Sequence, residues 1–425
     1  MTKQRIIFLS PYDPRDIRKW SGTIHSLYQA LVSGAAAASF RADYISGGVL
    51  DSCARLVNRG CRLWRKIDCR FSTAYAVVAG LVLTIRFALS GDATIIAVAT
   101  SNYLPYLITR KKIIYVSDAT FSAISDLYPS FRAYPDWLKR QGERNERLSL
   151  RKARFVIYPS QWASDSAKMH YGVSAEKIVQ LPFGPNIQSD LIERTFTSKP
   201  SIDNDAVNIM FVSTDWKRKN GDLVVDVCEQ LRNRGLNVRL VIIGETPAHI
   251  AQLPFVDARG WFDKAEGSKL EQLCLTYAEA TLLLLPTKAE AFGVVYSEAQ
   301  AFGVPSISCD VGGVGSAIID GQTGSLLPID AKADAFAAEV EKYVRDPALY
   351  DRVSRACRER YLTQANWAAW ARVVFSLAAI SEEGENSLDV SSSLANMPTQ
   401  ARGRSKDSFG TFERSRAKPG ITPTL

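Results

Sequence analysis

Short apolar runs alternate with longer stretches at helical spacing, and the alternation repeats in two halves of the chain. In the first half, strands are predicted at 5–9, 93–98, 112–116 and 154–158, and helices at 23–33, 137–152 and 161–170. In the second half, strands are predicted at 207–212, 237–243, 281–285 and 306–309, and helices at 221–234, 269–278 and 291–302. Since strands that alternate with helices build parallel sheets, the pattern predicts an α/β protein with two Rossmann-like domains.

The limits of these domains are placed where the alternation of apolar runs and helical stretches stops. We predict a first domain over residues 1–190, a linker over 191–206 and a second domain over 207–362. A C-terminal helix is predicted over 363–380, and one arrangement has it crossing back to the first domain. Residues 381–425 are poor in large apolar side chains, so we predict a disordered tail there.

The longest apolar stretch, 74–89, contains Arg86 and is too short to span a bilayer, so it predicts a buried helix. Hydrophobic residues make up 46% of the chain and charged residues 23%, as in ordinary soluble globular proteins. The 7 cysteines and 3 histidines are dispersed without metal-ligand spacing, and the odd thiol count argues against a disulfide framework. We therefore expect a cytoplasmic protein.

The net charge of +8 is modest and permits an anionic partner without requiring one. The stretch 55–70 places Arg55, Arg59, Arg62 and Lys66 on one helical face, with apolar residues grouped on another. Two interpretations stay open for it, a solvated surface or peripheral contact with the inner face of a membrane. No nucleic-acid partner is expected.

Two carboxylates stand near a predicted helix start in the second half. Glu290 falls in the turn after an apolar strand, and Glu298 lies eight positions later in the helix predicted from Ala291. A helix rise of about 1.5 Å per residue separates them by roughly 12 Å along the axis. Since the N–H groups of a helix start suit an anion, the spacing fits a ligand with hydroxyls at both ends and phosphates between them. A nucleotide sugar has that chemistry.

Further motifs follow the two glutamates in a fixed order. They are A-F-G-V-P at 301–305, Gly312-Gly313, and D-G-x-T-G-x-L-x-P at 320–328. Together with E-x7-E they resemble the C-terminal signature of the retaining, GT-B-fold glycosyltransferases of the group 1 (family four) type. The resemblance covers most of 5–380 and implies two domains facing each other across a cleft. It places the donor site mainly in the second half and the acceptor site in the first.

The resemblance also implies roles for residues of this signature. Glu290 would meet the hydroxyls of the donor sugar, and Glu298 would meet the ribose. The remaining donor-binding residues that it implies are Phe292, Gly293, Val294, Gly312 and Gly313. Trp261 and Phe262, after a strand that ends at Gly260, are candidates for stacking on the base.

A basic pair, Arg218 and Lys219, lies between a predicted strand and a predicted helix. By resemblance Lys219 takes the family's lysine position and neutralises the donor diphosphate, whose charge grows as the glycosidic bond breaks. Thr214 stands where the family usually has arginine, and Arg218 is the candidate substitute. The alternative for both residues is a solvated helix start.

Two first-half residues complete the predicted site. Gly22, in the W-S-G-T sequence after the first strand, corresponds to a family loop that approaches donor phosphate or acceptor. Asp118 follows a predicted strand, at a position where by resemblance many relatives have a histidine or an acid facing the transferred sugar. It would orient the sugar or stabilise positive charge at the anomeric carbon. The alternatives are a plain connecting turn for Gly22 and a turn-capping carboxylate for Asp118.

The expected activity is retaining transfer of a hexose-type sugar from a UDP- or GDP-sugar, as in polysaccharide biosynthesis. The acceptor would be a hydroxyl of a glycan, a lipid-linked glycan or a small molecule. The resemblance implies no metal or other cofactor, because Lys219, Arg218 and the helix start can supply the positive field. Asp203-Asn-Asp205 spells a metal-binding D-x-D but falls in the predicted linker. Two alternatives stay open: a nucleotide-sugar epimerase on the same fold, and a non-catalytic sugar-nucleotide-binding scaffold.

Overall fold

A computed structural model describes residues 4–35, 38, 40–46, 48, 68–196 and 207–380. It contains two sheets of six parallel strands with their helices, and both sheets belong to one compact unit. The predicted α/β class with two Rossmann-like sheets is confirmed. The predicted tail, the Asp203-Asn-Asp205 sequence and positions 55–67 of the basic stretch lie outside the described residues.

The first sheet has the order β2-β1-β3-β4-β5-β6, and every neighbouring pair is parallel. Its central strands are mostly apolar and buried because helices cover them. The strands are β1 (Gln4–Ser10), β2 (Phe40–Ser46), β3 (Thr94–Val98), β4 (Ile113–Val116), β5 (Phe155–Tyr158) and β6 (Ile178–Gln180). The helices in this half are α1 (Thr23–Ala35), α2 (Thr73–Ala88), α3 (Phe121–Leu127), α4 (Pro129–Arg132), α5 (Asp136–Lys152), α6 (Gln161–Tyr171) and α7 (Ser189–Thr195).

The second sheet has the order β12-β11-β10-β7-β8-β9, again with parallel neighbours. Its strands are β7 (Val207–Ser213), β8 (Val238–Gly244), β9 (Val256–Gly260), β10 (Leu282–Leu285), β11 (Ser306–Cys309) and β12 (Gly324–Leu327). Its first helices are α8 (Trp216–Lys219), α9 (Gly221–Asn233), α10 (Ala248–Ala251), α11 (Gly267–Glu279), α12 (Val294–Ala301) and α13 (Val314–Ala317). Three longer helices close the described chain: α14 (Ala333–Arg345), α15 (Pro347–Thr363) and α16 (Trp367–Ala379).

The predicted strands are confirmed, but the sequence pattern did not predict β2, β6 and β12. These three lie at sheet edges, where one flank faces solvent and the apolar pattern is weak. The predicted start of α12 at Ala291 is wrong: the helix begins at Val294. Gly293 precedes it with a φ of 87°, a left-handed conformation that keeps the preceding residues out of the helix.

The apolar stretch 74–89 does form a helix, α2, but the prediction that it is buried is wrong for one side. Its inner residues Ala76, Leu83 and Phe87 are buried in the core of the first sheet. Its outer side exposes a row of aliphatic side chains. None of the helices that the structure describes combines the length and apolar character needed to cross a bilayer.

The last described helix, α16, packs against the first sheet. The Phe375 ring lies 5.1 Å from the Phe40 ring, and Lys112 Nζ donates to the Ala378 carbonyl at 2.8 Å. A side chain at Gly34 would place its Cβ only 2.7 Å from Phe375, so this glycine permits the close contact. The limits of the domains themselves stay predictions.

Candidate active site

A cleft of about 710 Å³ lies between the two sheets. Loops that follow β1, β4, β7, β8 and β10 meet there, as expected for the carboxyl ends of strands in open α/β sheets. Side chains from both halves line it, so a ligand bound there would touch both sheets. The lining includes Trp20, Asp118, Tyr128, Phe183, Arg218, Lys219, Gly244, Trp261, Phe262, Lys264, Tyr277, Glu290, Phe292, Gly293, Val294 and Glu298.

Glu290 is held by both members of the basic pair. Its Oε2 forms an ion pair with Lys219 Nζ and lies 3.5 Å from an Arg218 guanidinium nitrogen. Arg218 also donates to the Ala289 carbonyl at 2.7 Å, which ties the basic loop to the turn before α12. The sequence places these residues far apart, and the fold brings them to one wall of the cleft.

The short helix α8 sets the position of this pair. Asp215 caps it by accepting a hydrogen bond from the Arg218 N–H, and Asn220 ends it with a φ of 63°. A side chain at Gly221 would bring its Cβ to 2.4 Å from the Trp216 ring, so only glycine allows the tryptophan to pack there. The side chain of Lys219 is consequently buried at the base of the cleft.

Burial lowers the pKa of Lys219, while the Glu290 carboxylate opposes that shift. A buried ammonium stays charged only where a counter-charge is close, and Glu290 supplies it. Nothing else that the structure describes forms an ion pair with Lys219. Lys219 therefore presents a compensated positive charge to the cleft from a place of low dielectric.

Glu298 lies on the second turn of α12 and is buried, with one oxygen accepting from the Tyr277 hydroxyl at 3.0 Å. Its other oxygen is paired with Lys264 Nζ. The Tyr277 ring stacks on Phe302 at 5.5 Å, which fixes the donor hydroxyl in place. Glu298 is therefore a rigid hydrogen-bonding group in the lining of the cleft.

Glycines allow the backbone around Glu290 to fold tightly. A Cβ at Gly313 would lie 1.9 Å from the Ala291 carbonyl oxygen, and one at Gly312 would lie 2.2 Å from the Glu290 carbonyl oxygen. The Gly313 N–H donates to that Glu290 carbonyl at 3.1 Å. These two glycines lie behind the turn and support it, whereas Gly293 lines the cleft.

Asp118 lies on the opposite wall and accepts a hydrogen bond from the Trp20 indole N–H at 3.3 Å. Burial raises its pKa to about 6, and the negative charge of Glu290 adds to the rise. Trp20 and Ser21 both have positive φ values, 50° and 55°, which are strained for residues other than glycine. Two adjacent strained residues beside a perturbed carboxyl are typical of a functional site.

Direct contacts join the two walls. The Ala291 N–H donates to the Tyr128 hydroxyl at 3.1 Å, and the Ser297 hydroxyl donates to the Phe183 carbonyl at 2.7 Å. The Phe183 ring lies 5.6 Å from the Phe292 ring. The two walls are therefore held at hydrogen-bonding range across part of the cleft.

The structure brings most sequence-predicted site residues into one cavity. Glu290, Glu298 and the basic pair share it with Asp118 and with the α12 start. Gly22 does not line it but lies between Ser21 and Thr23, which do, and its φ of 91° lets the loop turn. Trp261 and Phe262, the candidates for stacking on a base, also line the cavity.

Sequence reasoning missed three polar groups in this cleft: Trp20, Tyr128 and Lys264. Trp20 lies in the W-S-G-T sequence, and Lys264 follows β9, so the rule that ligands bind beyond strand ends could have found both. Tyr128 comes from a short loop between two helices, and no sequence pattern marks it. A larger cavity of about 1280 Å³, lined by α1, α16 and residues 185–190, contains none of the predicted site residues.

Comparisons with known proteins agree with this architecture. Residues 193–360 match the family model for glycosyl transferases group 1. The chain is 36% identical over 107 residues to a glycogen synthase of Mycobacterium tuberculosis (strain CDC 1551 / Oshkosh), covering 25% of each chain. It is 26% identical over 243 residues to a D-inositol 3-phosphate glycosyltransferase of Pseudarthrobacter chlorophenolicus, covering 52% of this chain and 53% of that one. The chain thus spans about a quarter to about half the length of these relatives.

A solved structure, Anabaena HepE in complex with UDP, superimposes with a TM-score of 0.60 at 16% identity. The match covers 89% of this chain and 100% of that one. At this identity the likeness concerns the fold alone, which is that of two facing Rossmann-like sheets. The segment 193–360 is thus similar to the glycosyl transferases group 1, and the architecture of the described chain is the GT-B fold.

Proposed function

We propose that the chain is a retaining glycosyltransferase that moves a hexose-type sugar from a nucleoside-diphosphate sugar to a hydroxyl acceptor. The observation that carries the proposal is the buried contact of Lys219 and Arg218 with Glu290 at the start of α12. It places positive charge and a hydroxyl-binding carboxylate within one ion pair. A sugar diphosphate needs both groups side by side.

The donor would lie along α12. Its diphosphate would face Lys219, Arg218 and the N–H groups at Gly293 and Val294, since the start of a helix favours an anion. Glu298, fixed by Tyr277, would accept hydrogen bonds from the ribose hydroxyls. The base would extend towards the indole ring of Trp261, which is 63% exposed at the rim.

Cleavage of the glycosidic bond adds negative charge to the leaving diphosphate. Buried Lys219 would stabilise that charge more strongly than an exposed lysine, because water is excluded around it. Glu290 would keep the ammonium protonated and also accept hydrogen bonds from the sugar. We propose that these groups suffice without a metal ion.

The acceptor would enter from the first sheet. A second cavity of about 300 Å³ meets the cleft at Trp20 and Asp118, which line both. Its floor holds Glu146, which is buried, and burial raises the pKa of its carboxyl to about 8. A protonated Glu146 both donates and accepts, so this cavity fits a neutral, hydroxyl-rich acceptor such as a sugar of a glycan or of a lipid-linked glycan.

Asp118 would act at the junction of the two cavities. A carboxylate there would stabilise positive charge that develops at the anomeric carbon as the donor bond breaks. HepE was solved with UDP, which makes a UDP-sugar the first donor to test. GDP-sugars come next.

The experiment is a release assay with a panel of UDP- and GDP-sugars and of glycoside acceptors. We expect one donor to give free nucleoside diphosphate that depends on an acceptor, with retained anomeric configuration in the product. Glu290→Gln should lower kcat by at least about a hundredfold while the protein stays folded. The matched control is Glu279→Gln, a surface change at the end of α11.

The alternatives give different results in the same assay. Conversion of one nucleotide sugar into another without release of nucleoside diphosphate would indicate an epimerase. Nucleotide binding without turnover of any donor would indicate a scaffold. Either result would overturn the proposed transfer.

A further inference from the structure

One side of α2 exposes a row of aliphatic side chains. Leu81 and Ile85 are 54% and 66% exposed there, although both are aliphatic. Ile108 lies beside them because its N–H donates to Thr84 Oγ1 at 2.9 Å. We call this surface the α2 face, and it consists of Val78, Leu81, Val82, Ile85, Leu89 and Ile108.

These side chains are not needed to hold the helix in place. The opposite side of α2 already packs into the first core through Ala79, Leu83 and Phe87. A Cβ at Gly80 would lie 2.5 Å from the Tyr106 backbone, so the helix is seated closely on the segment beneath it. A surface helix normally turns polar residues outwards, so an apolar outer side indicates a binding surface.

Basic side chains surround the α2 face. Arg86 and Arg110 are exposed next to it, and Lys152 Nζ donates to the Leu107 carbonyl at 2.6 Å. Lys111 binds the Gly91 carbonyl close to the C-terminus of α2. In the described segments 86–92, 107–112 and 150–154, which contain these four basic groups and further basic residues, Asp92 is the only acidic residue.

This basic rim lies at the edge of the first sheet that is opposite the cleft. The end of α2 precedes β3, residues 107–112 precede β4, and Lys152 ends α5 just before β5. A partner bound there would leave the carboxyl-end cleft open. The surface is thus independent of the proposed activity.

We propose that the α2 face binds the surface of a bilayer that contains anionic lipid. Its aliphatic side chains would enter the headgroup region while the basic rim meets lipid phosphates, as in interfacial helices. A second copy of the chain fits less well, because a twofold contact would bring two basic rims together. Charge complementarity therefore favours an anionic membrane.

The test is co-sedimentation of the full chain with vesicles of mixed phosphatidylcholine and phosphatidylglycerol, and with phosphatidylcholine alone. We expect binding to the mixed vesicles that weakens with salt. Leu81→Asp and Ile85→Asp should each reduce it by at least about tenfold, since a charge enters the apolar layer. Arg86→Glu should remove the preference for anionic lipid.

Leu275→Asp is the matched control, because Leu275 is also exposed but lies on α11 in the second half. It should bind as the unaltered chain does. Wild-type protein that stays in the supernatant with mixed vesicles would overturn the proposal, as would equal losses for Leu81→Asp and Leu275→Asp. A dimer that Leu81→Asp dissociates, without vesicle binding, would assign the face to a second copy instead.

Discussion

At the scale of residues, the cleft depends on a few buried charges that stabilise one another. Lys219 and Glu290 are each costly to bury alone, and together they leave one compensated pair in the wall of the cleft. Asp118 is different, because it has a hydrogen-bond donor in Trp20 but no cation paired with it among the described residues. Its charge is therefore a cost to folding that a catalytic role would explain.

Replacing Lys219 by alanine should weaken nucleoside-diphosphate binding by at least about tenfold, because a charge-assisted contact is lost. The measurement is the thermal shift that UDP and GDP produce. Lys217→Ala provides the control, since Lys217 lies on the same short helix but is exposed. Equal effects at the two positions would refute a specific role for Lys219.

Asp118→Asn should raise the stability of the protein near neutral pH while lowering its activity. The folded-state pKa of Asp118, about 6, lies above the ordinary value of 3.8, so the folded protein binds more protons between these values. Its unfolding free energy should therefore fall as the pH rises from about 4 to about 6, and the variant should lack that contribution.

The measurement is thermal unfolding at about pH 4 and about pH 7.5. We expect the Tm gain of Asp118→Asn over wild type to be larger at the higher pH, since the wild-type carboxyl is charged there. A Tm gain of Asp118→Asn that is larger at about pH 4 than at about pH 7.5 would contradict a raised pKa for Asp118 in the folded protein.

At the scale of elements, tight turns with glycine position the charged groups. Gly293 ends the turn before α12, and Gly312 and Gly313 let a second backbone segment lie against it. Helix α12 thereby starts beside Glu290. The site is a product of these close backbone contacts as much as of the side chains.

Gly313→Ala should destabilise the protein by about 3 kcal/mol and impair nucleotide binding, because its Cβ would overlap the Ala291 carbonyl. The control is Gly315→Ala, whose Cβ would lie 3.2 Å from a side-chain oxygen of Asp310. That change lies in α13 and should cost less than about 1 kcal/mol. Urea unfolding measures both, and similar values would contradict the account of the turn.

Sequence patterns predicted the central strands because these are apolar on both faces, and they predicted the long helices from their spacing. They did not predict β2, whose sequence mixes charged and apolar residues at an edge. They also missed that α2 is apolar on its outer side, since an apolar run does not tell which side meets solvent.

The same division holds for the site. Glu290, Glu298 and Lys219 lie in motifs that resemble those of a known family, so the sequence alone could identify them as candidates. Tyr128 and Glu146 reach the two cavities from helices and loops that have no motif. Their participation follows only from how α3, α4 and α5 pack on the first sheet.

At the scale of the whole molecule, the two sheets are joined by contacts at the cleft and behind it. Besides the Tyr128 and Ser297 contacts, the Gln161 N–H donates to the Ser316 hydroxyl at 2.9 Å. Arg18 forms an ion pair with Asp263 across the rim at 2.9 Å. Domains that share such contacts and one ligand are expected to unfold together.

Calorimetry should therefore show one unfolding transition for the two sheets. A nucleoside diphosphate at a hundred times its Kd should raise the free energy of unfolding of that transition by about 2.7 kcal/mol. Two separate transitions, with only the later one shifted by nucleotide, would show that the halves are energetically independent.

We expect the donor nucleotide to lie along α12 between the basic pair and Glu298. The deciding measurement is a crystal structure of the protein with UDP. The diphosphate should lie within hydrogen-bonding distance of Lys219 and the N–H of Val294, with the ribose hydroxyls on Glu298. Nucleotide bound elsewhere, with the Lys219–Glu290 pair unchanged and its cleft empty, would show that this cleft is not the donor site.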